Sequence, residues 1–235
     1  MSGGSRKAEV EERIAAKVAR KRSLGEPMVP LSGAPARGPL SATFWGKAWC
    51  ERLEACSDYR DRLPSGRSRL RAGAVYDLAI SEGEVFAYVA GEDLHEVLVR
   101  ISPMTEERKG TLATACAGRI GSAVDLLTGN LGAEVMARLV DPDHGILPGA
   151  DQIRFQCDCA DHADLCGHGA AVLYAIGWCL DAEPALLFTL RGLDQASLVA
   201  GVAGAIGDLG GAGPEAWAHE DLNALFGIEM DEESG

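Results

Sequence analysis

Twelve residues constrain this chain more than any others: Cys157-Asp-Cys159, a six-residue gap, then Cys166-Gly-His168. Three thiols and one imidazole so close together form the donor set that zinc takes in a tetrahedron, with Zn–S near ~2.3 Å. Ile153 to Gln156 reads as a short strand entering the cluster, and Ala170 to Leu180 as an apolar helix leaving it. Gly167 and Gly169 relieve the steric limits of the turn around His168. The start of the helix places backbone N–H groups near the thiolates and so favours their charge. Four protein donors leave no position for a water, which marks a structural ion rather than a catalytic one. Asp158, Asp161, His162 and Asp164 read as solvated loop residues rather than as further ligands. Redox pairs more often place two cysteines two residues apart, and this spacing differs.

The other cysteines are scattered at Cys50, Cys56, Cys116 and Cys179. They fall on apolar helical faces and are expected to be small core residues. An odd total of seven does not suggest a disulfide framework, which belongs to short secreted chains. No apolar run approaches the roughly 20 residues needed to span a bilayer, and Met1 to Arg22 lacks the apolar stretch of a signal peptide. The expected location is cytoplasmic, with no membrane contact.

Periodicity divides the chain into segments. Residues 1–41 are expected to be a disordered basic arm followed by a Pro/Gly linker or extended strap, with Pro27, Pro30, Pro35 and Pro39 in the second part. Residues 42–144 are expected to form an α+β domain. Phe44, Trp45, Ala48, Trp49 and Leu53 recur at helical spacing, so the two tryptophans read as core anchors. Residues 74–80, 84–90 and 96–101 predict a three-stranded antiparallel meander turning at Ser81-Glu82-Gly83. Helices are predicted near 105–117, 120–127 and 133–139. Residues 145–180 hold the metal module, 181–228 further helices packed on the body, and 229–235 an acidic tail. The fold class is α+β: a small antiparallel sheet, several helices and a zinc-stapled strand-turn-helix.

Charge is distributed unevenly. Residues 1–71 carry 15 Lys and Arg against 8 acids, and the remainder carries 7 against 27. Arg60, Arg62, Arg67, Arg69 and Arg71 make the densest basic cluster of the folded part, with Tyr59 and Tyr76 available for stacking. This is the pattern of a phosphate-binding patch. Arginines pairing with Asp58, Asp61 and body acids would look the same. The glycine-rich run 204–213 is not followed by Lys-Ser or Lys-Thr, so it does not read as a phosphate loop. His95, His144 and His219 stand alone in sequence and read as ordinary histidines. No Ser-His-Asp or paired-carboxylate set is readable, and neither enzymatic activity nor a small-molecule substrate is expected.

The finger, CDCADHADLCGHGAAVLYAIG, resembles the SWIM zinc-finger family, whose signature is Cys-x-Cys, a variable gap, then Cys-x-His and an Ala-rich helix. The resemblance extends to a group of bacterial SWIM proteins through three further stretches: Trp45-Gly46-Lys47-Ala48-Trp49, Tyr59 to Arg67, and Leu187 to Gly192. It implies one structural Zn2+ on Cys157, Cys159, Cys166 and His168. It also implies binding to DNA or to proteins, with a Swi/Snf-type helicase as a possible kind of partner. This finger departs from the usual loop: Asp158 replaces a small polar residue, Ala160 a proline, His162 a tryptophan and Gly167 a lysine. One cation fewer and one anion more beside a site of charge −1 oppose its approach to phosphate. The reading is a non-enzymatic zinc-binding accessory protein in DNA-related processes, binding DNA or RNA through the arginines and a protein through the finger. The alternative is a pure protein-interaction module.

Overall fold

A helix apolar on every side has to be buried, and residues 167–182 supply one. In the computed structural model, which describes residues 3–161 and 163–199, this helix (α7, Gly167–Ala182) buries twelve of its sixteen residues. The other elements are arranged around it. Helix α2 (Phe44–Glu54) is capped by the Thr43 hydroxyl and lays Trp45 and Trp49 inward. The two indole N–H groups donate to Leu126 O at 2.9 Å and Leu173 O at 2.8 Å, so neither polar atom is stranded. Helix α3 (Leu63–Arg71) crosses α7 at Gly66, where a Cβ would run into the backbone of Ala170.

The sheet packs on the same helix. Strands β1 (Val75–Ser81), β2 (Glu84–Ala90), β3 (Leu94–Ile101) and β4 (Ile153–Cys157) lie in that order, all antiparallel. The meander read from the sequence is therefore extended by a fourth strand, which carries Cys157 alongside Val97 of β3. Side chains alternate across the pleat. Val85, Ala87, Val89, Val97, Val99, Ile101 and Ile153 join the core around α7. Tyr88 and Leu94 turn to the opposite face.

Helices α4 (Glu106–Cys116), α5 (Ala123–Thr128) and α6 (Ala133–Leu139) follow, close to the predicted spans. Thr105 and Ser122 cap the first two through their hydroxyls. Helix α8 (Ala185–Leu190) buries Leu187, Phe188 and Leu190. After it, the buried Arg191 donates to Ser102 O and, at 3.2 Å, to Gln152 Oε1, which ties this segment to the ends of β3 and β4. The segments 42–144, 145–180 and the described part of 181–228 contribute to one continuous core. Residues 195–199 are helical. The rest of the helix expected to 209 and the acidic tail lie outside the described residues.

The first forty residues differ from expectation. Residues 3–23 are not a disordered arm but a helix (α1, Gly3–Ser23) docked on the outer face of the sheet. Its apolar stripe is one residue wide: Val10, Ile14 and Val18, each four residues apart, with Val18 buried against Tyr88, Leu94 and Met28. Charges on every other side hid that column. Lys17 pairs with Asp93 at 2.7 Å, and Lys21 pairs with Glu96 at 3.4 Å while lying over the Tyr88 ring. The proline-rich part is an extended strap beside β1. There Asp77, at φ 48°, accepts from the backbone N–H of Met28 and Val29 at a β-bulge.

Candidate metal centre

The four sequence-predicted ligands are brought together. Cys157 ends β4, Cys159 follows in the loop, Cys166 is the N-cap of α7, and His168 lies in its first turn. Their Sγ and Nδ1 atoms lie within 4.8 Å of one another. His168 Nδ1 is 3.9 Å from both Cys157 Sγ and Cys166 Sγ. A tetrahedron with metal–sulfur bonds near ~2.3 Å has edges of about 3.8 Å, so the donors already stand at coordination spacing. The residues fit one small ion, and a soft or borderline metal suits three sulfurs and an imidazole.

The helix start prepares the site electrically. Cys166 Sγ accepts from Gly169 N at 3.4 Å. Its thiol is held down to about 3, first by the hydrogen bond from Cys157 and then, against burial, by His168 and by backbone N–H groups of the helix start. Cys157 is pushed up because it shares its proton with Cys166, and burial pushes up Cys159. Metal binding has to displace the thiol protons of the cluster. By contrast, burial raises Cys50 and Cys179 to about 11, which leaves them poor nucleophiles.

Two residues read from the sequence as an ordinary histidine and a solvated loop acid, His95 and Asp158, border the site, as does Gly91, which the sequence did not single out. His95, on β3, lies against His168 with ring centroids 4.4 Å apart and planes tilted by 39°, and its Nδ1 meets Asp158 Oδ1 at 2.9 Å. Asp158 also accepts from Glu96 N at 3.2 Å, so the finger loop is tied to β3 by this carboxylate. His95, Cys157 and Asp158 form a second group with donor atoms within 4.8 Å of one another. Gly91, in the β2–β3 turn, lies against the imidazole: a Cβ there would collide with His168 Nε2, a buried atom with no hydrogen-bond partner. On the other side, a Cβ at position 167 would meet Ser65 Oγ at 2.7 Å and Arg69 Nη1 at 3.0 Å. Glycine at 167 thus leaves room for the Arg69 side chain from α3. The β3–β4 register and the α3–α7 crossing, both long-range, create these contacts, and local spacing carries no signal of them.

The five arginines do not form one free patch. Arg62 pairs with Asp161 of the finger loop at 3.2 Å. Arg67 donates to the Tyr174 hydroxyl at 2.8 Å and pairs with Glu54. Arg69 donates to Ser65 Oγ, and Arg71 to the carbonyls of Pro35 and Gly38. Arg60 is exposed and has no ion pair among the described residues. Tyr59 is buried against Phe155 and is not a free stacking surface. Among the described residues, no helix is long and apolar enough to cross a membrane.

The chain is similar to the uncharacterized protein Rv2102 of Mycobacterium tuberculosis, at 28% identity over 183 residues. The match covers 77% of this chain and 65% of that one, so the chain spans just under two thirds of the length of the curated relative it matches. No protein-family model and no solved structure matches the chain.

Proposed function

We propose that this chain is a non-enzymatic accessory protein whose single zinc ion, on Cys157, Cys159, Cys166 and His168, fixes a protein-binding surface. The observation that carries this reading is the convergence of four protein donors at the junction of β4 and α7. A closed tetrahedron holds backbone in place and offers no coordination position to a substrate. The SWIM reading rests on the same four residues and their spacing. A partner of the Swi/Snf-helicase kind is what that resemblance implies. Internal use of Arg62, Arg67, Arg69 and Arg71 favours a protein partner over nucleic acid. DNA or RNA contact is the second reading, supported by the exposed basic second half of α1, where Arg20 faces solvent beside Arg13, Lys17 and Arg22, which are exposed but also hold Glu92 O, Asp93 and Met28 O.

Elemental analysis of the purified chain is expected to give one zinc per molecule. Cys159→Ser should lose the ion and accelerate hydrogen exchange over residues 153–168. A wild-type chain that folds fully without any metal would sink the zinc reading. Affinity capture from the native host, with and without nuclease, separates the two partner readings. A partner retained after nuclease supports protein binding, and loss of all capture supports a nucleic-acid bridge.

A further inference from the structure

The two edges of the sheet are finished differently. The outer edge of β1 is covered by the strap, where Leu31 N donates to Val75 O at 2.7 Å and Asp77 N to Val29 O at 3.0 Å. An uncovered edge is a template for another strand, and β4 leaves one. Antiparallel partners alternate between residues that exchange backbone bonds and residues that do not. The bond from Ser102 N to Gln152 O, at 3.0 Å, sets the phase, and the register pairs Arg100 with Arg154 and Val99 with Phe155. Arg154 and Gln156 therefore bond to β3, while Ile153 and Phe155 turn their backbone groups outward. Ile153 is satisfied locally, its N–H by Ala150 O and its C=O by the Arg154 guanidinium. The N–H and C=O of Phe155 have no partner among the described residues.

A groove of about 950 Å³ runs along this edge, with Tyr59 and Phe155 in edge-to-face contact in its lining. Its rim carries the exposed carboxylates of Asp58, Asp61, Asp151 and Asp164. Its two cations are already engaged: Arg62 by Asp161, and Arg154 by the carbonyls of Asp151 and Ile153. An unpaired strand edge accepts an extended chain, and the sign of the rim selects a basic one.

We propose that an extended lysine- or arginine-rich segment of a partner protein docks here as a fifth strand. It bonds to the backbone of Phe155 and sets its basic side chains against Asp58, Asp61 and Asp164. This rests on the reading of the chain as a protein-binding module and names the chemistry of its partner. Phosphate would be repelled by the same rim.

The test uses the zinc-loaded full chain and three fluorescein-labelled decapeptides: alternating Lys-Thr, alternating Glu-Thr, and the Lys-Thr peptide N-methylated at every second residue. The Lys-Thr peptide should bind and slow exchange of the Phe155 amide about ten-fold or more, while the Glu-Thr peptide should not bind. N-methylation, which removes the strand hydrogen bonds, should weaken binding by about ten-fold, and so should Asp61→Lys with Asp164→Lys. Equal binding of the methylated peptide, unchanged Phe155 exchange, or no binding of any peptide would overturn the proposal. With one zinc still bound, such a failure leaves the metal reading standing. A chain that binds no zinc fails that reading instead.

Discussion

The two faces of the sheet are held by different physics. Toward α7, Val85, Val89, Val97 and Val99 are fully buried in a core that continues through Trp45, Leu173 and Phe188. Toward α1, the buried layer is Val18, Met28, Tyr88 and Leu94 with Ile14, Tyr76 and Phe86 half-buried beside it, and the contacts around it are polar or ionic. Apolar burial stabilises by about 25 cal/mol per Å² and is not weakened by charge screening. Exposed ion pairs contribute roughly 0–1 kcal/mol each and are screened. The α7 face therefore defines the fold, while the α1 face is a layer that can come off without unfolding the body. The candidate metal centre lies on the first side, where α7 is buried along most of its length. If the proposed ion is bound there, its removal should accordingly loosen the loop between Cys157 and Cys166 and spare the helix.

The largest effect that would sharpen this contrast is Trp49→Ala. Trp49 is 1% exposed and hydrogen-bonded through its indole to α7. Its truncation should cost about 3–5 kcal/mol of unfolding free energy, read by denaturant titration. A loss below ~1 kcal/mol would mean that the α7 face is not the core. Next comes Val18→Asp, which puts a charge into the thin layer. Trypsin should then cut at Lys17 and Arg20 much faster, while the body loses only about 1–2 kcal/mol. If the body unfolds together with α1, the two faces are one cooperative unit and the contrast fails.

The sequence discloses these faces unequally. The apolar run of α7, the Trp45–Trp49 spacing and the four metal donors are local patterns, and each could be read directly. The fourth strand was visible as a strand but not as a neighbour of β3, because pairing Val99 with Phe155 depends on contacts more than fifty residues apart. The α1 stripe was present in the letters, yet three β-branched residues among ten charges gave too weak a pattern to mark a buried face. The arginines misled in the opposite direction. Five in twelve residues resemble a phosphate patch until the fold brings Asp161, Glu54, Tyr174 and the strap carbonyls to them. His95 and Gly91 could not be assigned to the metal centre at all, since the sheet register alone brings them beside His168.

The smallest effect is the most selective test of the thin face. The Lys17 ammonium holds the Asp93 carboxyl below the usual carboxylate range. Glu26 is lowered too, first by the Tyr88 hydroxyl and then by Lys21. A carboxyl whose pKa falls on folding contributes above its ordinary pKa, and the contribution is lost as pH falls through the lowered value. The docking of α1 should therefore be firm at neutral pH and weaken on acidification below about pH 4. Exchange of α1 amides, corrected for intrinsic rates, should rise a few-fold there and also in about 0.5 M salt at neutral pH. Amides of β2 and α7 should not respond. Asp93→Asn should show the looser α1 at neutral pH and a smaller response to acid, with Glu26 supplying the remainder. If Asp93→Asn keeps the full acid response, the Lys17 pair is not what holds α1. The acid response would then come from Glu26 with Lys21 and Tyr88.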